Sequence, residues 1–165
     1  MKAEPTIYTT IKSPFGKLVI AGVAGKIRSM RVVTGAGRFA AQPSWRRADD
    51  EFAEAGAQLA AYFAGRLRKF SLPLELVGTP FQKDAWRILC AVPYGTTTTY
   101  GEIARTMGRP NASRAVGGAM NRNPIAIVVP CHRVLGKDGA LTGYLNGTDI
   151  LRVPASEGRE VKRQG

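Results

Sequence analysis

Residues 125–134 read Ile125-Ala126-Ile127-Val128-Val129-Pro130-Cys131-His132-Arg133-Val134. Five apolar residues, most of them β-branched, run into a proline followed at once by a cysteine and a histidine. The run predicts a buried strand that stops at Pro130, which lacks an N–H for a ladder and fixes its own φ. A thiol at that point is held on rigid scaffolding. Beside it stands His132, the one histidine of the chain, a side chain that titrates near neutral pH. A cysteine behind an apolar strand is ordinarily a small buried hydrophobe. Neighbours i and i+1 of a strand point to opposite faces, so Cys131 and His132 meet only through a turn or a bridging water. Placement of the single histidine next to one of only two cysteines points instead to a reactive thiolate.

Upstream, two short helices announce themselves. Thr99 is an N-cap with Glu102 closing a capping box, Ile103, Ala104 and Met107 face inward, and Gly108 stops the turn. Asn111 is the expected N-cap of the next helix, with Ala112, Ala115, Val116, Ala119 and Met120 on one stripe. Joined by Gly108-Arg109-Pro110, the pair has the proportions of a helix-turn-helix. Gly117-Gly118 in mid-helix costs roughly 1 kcal/mol per glycine relative to alanine. The opposite stripe, Ser113, Arg114 and Gly117, is small apart from one cation. It reads either as close helix packing or as a face that enters a narrow space such as the DNA minor groove, about 6 Å wide.

Further back, Thr79-Pro80-Phe81-Gln82 carries cap, N-terminal proline and box together, so a helix is expected from Pro80 to about Ala91. Phe81, Ala85, Trp86, Ile88 and Leu89 form its apolar side, Cys90 is placed in or beside that core, and Val92-Pro93-Tyr94-Gly95 ends it. The sequence changes style at Val77-Gly78, which suggests an N-terminal domain of residues 1–77 and a C-terminal domain of 78–165. In the first, strands are expected at Ile7–Ile11, Leu18–Val23 and Ile27–Val33, forming an antiparallel meander. Residues 34–47 read as a surface loop. Asp49, Asp50 and Glu51 open a helix that ends at Gly65, and Phe70, Leu72, Leu74 and Leu76 alternate as one more strand.

The chain has 165 residues, 44% of them hydrophobic, enough for a packed core in one domain or two small ones. It carries 24 Lys+Arg against 12 Asp+Glu, a formal charge of +12, which favours a polyanionic partner such as nucleic acid. No long uncharged apolar run or secretory leader is evident, so a soluble, cytoplasmic protein without a membrane partner is expected. Two cysteines and one histidine cannot fill a four-ligand zinc site, and neither metal nor cofactor is called for.

Taken together, these stretches resemble the O6-alkylguanine-DNA alkyltransferases. The likeness is carried by Thr79-Pro80-Phe81-Gln82, Trp86, Val92-Pro93-Tyr94-Gly95, Tyr100-Gly101-Glu102-Ile103-Ala104, Ser113-Arg114-Ala115-Val116-Gly117-Gly118-Ala119-Met120, Asn123-Pro124-Ile125 and Pro130-Cys131-His132-Arg133-Val134. It runs from about residue 79 to Tyr144, and more loosely back to residue 7. The resemblance implies an α/β fold: a small ribonuclease H-like N-terminal domain, then a mainly helical, winged-helix-like domain whose helix-turn-helix binds the minor groove. It implies a monomer that flips O6-alkylguanine out of double-stranded DNA and moves the alkyl group once to its own cysteine, with cooperative assembly on DNA left open.

On that resemblance, Cys131 is the acceptor, His132 deprotonates it through a water, and Asn123 shapes the site. Tyr100 pushes the target phosphate and is placed to relieve charge on the leaving guanine. Met120, Val134 and Tyr144 line the guanine pocket. Arg114 fills the gap left by the flipped base, with Ala112, Ser113 and Gly117 on the DNA-facing helix. After Tyr144 the chain departs from the family: Leu145 replaces a small residue, Pro154 argues against a continuing helix, and the carboxylate that would support His132 is unassigned, Glu157 lying at about the right distance along the chain in surroundings that do not match. Transfer is therefore expected to persist but weaken. A lesion-binding module without transfer, and a thiol hydrolase or redox enzyme that turns over, are the competing classes.

Overall fold

The computed structural model describes residues 4–33 and 38–136. They fall into two compact units: residues up to Val77 together with Pro124–Ala126, and Gly78–Asn123 together with the described chain from Ile127. Among the described residues no helix is long and apolar enough to cross a membrane.

The first unit is built on a four-stranded sheet whose strands lie in the order Lys26–Val33, Gly16–Val23, Ile7–Ser13, Arg46–Arg47. Strands β1 (Ile7–Ser13), β2 (Gly16–Val23) and β3 (Lys26–Val33) form the expected antiparallel meander. Central β2 buries Leu18, Val19, Ile20 and Ala21 in succession, as a strand covered on both faces must. The β2–β3 turn sets both Ala24 and Gly25 at positive φ, 52° and 74°, the pattern of a type I′ hairpin. A register shift at Ala21/Gly22 brings the backbone so close that a Cβ on Gly22 would lie 2.0 Å from the Lys26 carbonyl oxygen.

Two expectations for this unit need correction. Residues 38–47 are more than a loose loop: Arg46–Arg47 forms β4, parallel to β1, and Phe39 and Trp45 pack their rings on Tyr8. Backbone pairing with β1 supplies what side-chain periodicity could not show. The run 70–76 is not a strand but a strap. Only Leu74 bridges Ile27, held by Ile27 N–H to the Pro73 carbonyl and Glu75 N–H to the Ile27 carbonyl. Further along the same edge, Met30 donates to the Pro124 carbonyl at 2.9 Å and accepts from Ala126 N–H at 3.0 Å. These bonds satisfy an edge that would otherwise present open backbone groups. Helix α1 (Ala53–Phe63), preceded by a single tight turn at Asp49–Phe52, buries Ala55, Leu59 and Tyr62.

The second unit is mainly helical. Helix α2 (Pro80–Cys90) has the expected capping box, with Thr79 accepting from Gln82 N–H and Gln82 answering to the Thr79 N–H. Its Trp86 is 1% exposed, and the indole N–H donates to the Ala119 carbonyl at 2.9 Å. Strand β5 (Thr98–Thr99) leads into α3 (Tyr100–Thr106), boxed by Thr99 and Glu102, and Gly108 turns away at φ 72°. Helix α4 (Ser113–Asn121) is flanked at its start by Ala112, not by the expected Asn111 cap, and no side chain caps it. Val116, Ala119 and Met120 are its buried stripe, whereas Ala115 is exposed. Strand β6 (Val134–Leu135) pairs in parallel with β5. Cys90, expected in or beside the core, is exposed.

The run Ile125–Val129 is fully buried but forms no ladder: one bridge from Ile125 to Met30 precedes a turn. Ile127 occupies φ 72°, a left-handed conformation that costs a β-branched residue roughly 1–2 kcal/mol. Burial and β propensity were read correctly there, but a tight turn consumed the residues that a ladder would need.

Candidate active site

Pro130 ends the buried turn at φ −84° and ψ 66°, and Cys131–Arg133 close a single 3₁₀ turn. Within it Cys131 N–H donates to the Val129 carbonyl at 2.9 Å, and Arg133 N–H to the Pro130 carbonyl at 2.9 Å. The 3₁₀ turn, not a strand, is therefore what presents the thiol. Sγ of Cys131 is half-buried and faces three groups. The Asn123 amide nitrogen donates to it at 2.9 Å, while the Met120 carbonyl oxygen and Sδ each lie at 3.6 Å. Asn123 spends a second amide proton on the Val129 carbonyl at 2.8 Å, so its side chain ties the end of α4 to the turn just before the cysteine.

These contacts fix the resting chemistry. A thiol can donate to the Met120 carbonyl while accepting from Asn123, whereas a thiolate would face that carbonyl as a repulsive partner. Burial pushes the Cys131 thiol up to about 12, with the Asn123 hydrogen bond the leading opposing influence. Burial also pulls His132 down to about 3, assisted by the neighbouring Arg133 cation. Both groups rest neutral. His132 is 4% exposed, and its Nε2 has no hydrogen-bond partner among the described residues.

The sequence-predicted residues thus divide into two groups. Cys131, Asn123 and Met120 are brought into direct contact, His132 follows in the same turn, and Val134 is fully buried at the start of β6, paired with Thr98. Tyr100 stands at the first position of α3 with its ring against Gly117, whose added Cβ would lie 4.0 Å from the ring carbons. On α4 Arg114 is exposed, while Ser113, Gly117 and the preceding Ala112 are half-buried. Tyr144, Leu145, Pro154 and Glu157 lie outside the described residues.

Sequence reasoning gave Arg133 no role. It is 6% exposed, donates from Nη1 to the Val92 carbonyl at 2.8 Å and sets its Cζ 5.7 Å from the Tyr94 ring centre. The signal available was its position directly after Cys-His in a run otherwise apolar. A cleft of about 380 Å³ lies away from these groups, lined in part by Phe81, Ile88, Met107, Arg87 and Arg109. Among the described residues no group of three or more His, Cys, Asp or Glu could hold a metal ion.

Fold and site define a two-unit protein in which a helix-turn-helix adjoins a turn that presents a gripped, protonated thiol. Residues 6–76 match the 6-O-methylguanine DNA methyltransferase ribonuclease-like domain, and residues 80–160 match the DNA-binding domain of the same proteins. The chain is 49% identical over 143 residues to the methylated-DNA–protein-cysteine methyltransferase of Methanosarcina acetivorans, covering 87% of this chain and 92% of that one. It is 46% identical over 148 residues to the protein of that name from Mycobacterium tuberculosis, covering 88% and 87%. The crystal structure of M. tuberculosis O6-methylguanine methyltransferase superposes with a TM-score of 0.81 at 44% identity, covering 91% of this chain and 90% of that one. A structure of the M. tuberculosis protein in complex with DNA gives 0.76 at 47% identity, covering 84% and 83%. The chain belongs to the 6-O-methylguanine DNA methyltransferase family.

Proposed function

We propose that this protein repairs DNA directly, taking the alkyl group from O6-alkylguanine in duplex DNA onto Cys131 in a single irreversible step. The observation that carries the reading is the thiol held between the Asn123 amide and the Met120 carbonyl, directly followed by a buried neutral imidazole. The duplex is drawn by the +12 charge and engaged by the helix-turn-helix, with Ala112, Ser113, Arg114 and Gly117 on the approaching helix. Extruding the lesion costs a few kcal/mol, less for a base that pairs poorly, and Arg114 fills the space it leaves.

The resemblance assigns the guanine pocket to Met120, Val134 and Tyr144, the last of which lies outside the described residues. His132, through a water, takes the thiol proton as sulfur attacks the alkyl carbon. The S–C bond forms as the O6–C bond breaks, and the electron pair of that bond leaves with guanine. Tyr100 donates a proton toward the departing base, so charge does not accumulate on it. Burial pushes the thiol up to about 12 and holds it protonated near neutral pH, so a base takes part in the step. The thioether product has no good leaving group, and each polypeptide reacts once. The protein works as a cytoplasmic monomer on DNA.

Mass spectrometry tests this reading. Incubation with an O6-methylguanine duplex is expected to add about 14 Da, one methylene, to the Cys131 peptide and to no other. Cys131→Ser takes up nothing. An unchanged mass with retained affinity for the lesion identifies a binding module instead, and sustained turnover identifies a hydrolase.

A further inference from the structure

We propose that Arg133 is a positioning residue for alkyl transfer: its guanidinium fastens the turn carrying Cys131 and His132 to the Val92–Tyr94 loop and fixes a positive charge beside the imidazole. The inference rests on the function proposed above and assigns a part to a side chain that this reaction leaves unused. A guanidinium that is 6% exposed is costly to keep away from water unless something is obtained from its geometry. Here it makes a short bond to a backbone carbonyl, 2.8 Å to Val92, and lies 5.7 Å from the Tyr94 ring centre.

The attachment is placed where it matters. Val92–Tyr94 follows the end of α2 and leads to β5, and β5 pairs with the two residues after Arg133, Thr98 with Val134 and Thr99 with Leu135. Thr99 in turn caps α3, whose first residue is Tyr100. The Arg133 bond and the β5–β6 pairing therefore grip the 92–99 segment at two points, and together they set the thiol turn relative to the helix that bears Tyr100. A lysine could supply the charge, but not the planar fork that reaches the carbonyl while lying over a ring. The charge has its own effect: a fixed cation next to His132 opposes a second proton on the imidazole. It keeps the resting ring neutral while making it the weaker base, so what Arg133 contributes to the rate is the attachment of the turn and not the charge.

The test compares full-length wild type, Arg133→Met and Arg133→Lys by two readouts. One is the rate of Cys131 methylation by an O6-methylguanine duplex. The other is the proton resonance of the chain's single histidine, which needs no assignment, followed from neutral pH downward. Arg133→Met is expected to move the onset of imidazole protonation to higher pH and to slow transfer at least about thirtyfold. Arg133→Lys is expected to keep the wild-type titration and recover only part of the rate. Either readout at the wild-type level in Arg133→Met overturns the proposal. Should that variant not fold, Arg133→Lys decides: about a tenfold loss of rate at an unchanged titration supports it, and the wild-type rate overturns it. If wild type itself takes up no methyl group, the proposed function fails, while the histidine titration still reports on the charge at Arg133.

Discussion

The side-chain amide of Asn123 stands 2.9 Å from the sulfur of Cys131 and donates to it, while also donating to the Val129 carbonyl at 2.8 Å. One amide group thus does two things: it shapes the turn before the cysteine, and it offers the sulfur a donor that favours the anion. Asn123→Ala removes both. The buried carbonyl of Val129 loses a partner, at a cost of about 1–3 kcal/mol of stability. The thiolate loses its hydrogen bond, and methyl transfer is expected to fall on the order of 100-fold. Urea unfolding and single-turnover kinetics measure the two effects separately. A variant that loses stability and keeps the wild-type rate shows Asn123 to be a structural strut alone.

His132 makes stability depend on acid. Its imidazole is depressed from an ordinary 6.5 to about 3 in the folded protein, so the folded state resists a proton that the unfolded chain accepts. The stabilisation is fully present above pH 6.5 and is lost as pH falls toward 3. Between about pH 6.5 and 5, before most carboxylates titrate, unfolding free energy is expected to decline by up to roughly 1.4 kcal/mol per pH unit. In His132→Gln that slope should vanish. The same variant should transfer methyl slowly at pH 7 and gain about tenfold in rate per pH unit on the alkaline side, because the unassisted thiol ionises only toward about 12. A flat alkaline limb would show that another group takes the proton.

Three small residues give backbone tests with opposite signs. A Cβ on Gly78 would meet the Trp86 ring at 2.7 Å, and one on Gly22 would meet the Lys26 carbonyl oxygen at 2.0 Å. Gly78→Ala is expected to cost about 1–3 kcal/mol and Gly22→Ala more, since its obstacle is backbone and not a movable side chain. Ala24 is exposed at φ 52° in a type I′ turn, where Asn is preferred, so Ala24→Asn should raise stability by about 0.5–1 kcal/mol. Chemical denaturation of the three variants side by side checks the order. A neutral Gly22→Ala would mean that the β2–β3 bulge is not held as described.

How much of this was visible in the residues depends on the range of the forces involved. Helices α2 and α3 were legible because their caps are local: Thr79 with Gln82, and Thr99 with Glu102, satisfy backbone groups three residues away. The meander was legible because β2 is a continuous apolar run between turn residues. What stayed hidden was non-local. Nothing in Arg46-Arg47 announces a strand until β1 lies beside it, and nothing in Leu72–Leu76 shows that only Leu74 reaches a partner. Apolar composition at 125–129 gave burial correctly, but the turn at Ile127 depends on where the chain is held, by Met30 before it and by Asn123 across it. Cys131, Asn123 and Met120 were assembled on resemblance, and their contact could not be derived from spacing alone. Arg133 was passed over because a surface role is the usual expectation for arginine.

Arg114 separates recognition of the duplex from chemistry on the base. It is exposed on α4, away from the contacts that hold Cys131, so removing it should leave the thiol, Asn123 and Met120 undisturbed. If its side chain occupies the gap left by an extruded base, Arg114→Ala should slow methyl transfer from an O6-methylguanine duplex by about 10–100-fold, the worth of 1–3 kcal/mol in stabilising the flipped state. Reaction with the free O6-alkylguanine base needs no extrusion, and its rate should remain within about twofold of wild type. The contrast between the two substrates is the informative quantity, because a general folding defect lowers both rates together. Phosphate binding alone would instead appear as weaker duplex affinity and a smaller salt dependence, by about one unit in the logarithmic slope, with an unchanged transfer rate once the DNA is saturating. A saturating-duplex rate equal to wild type would therefore assign Arg114 to the backbone and remove it from base extrusion.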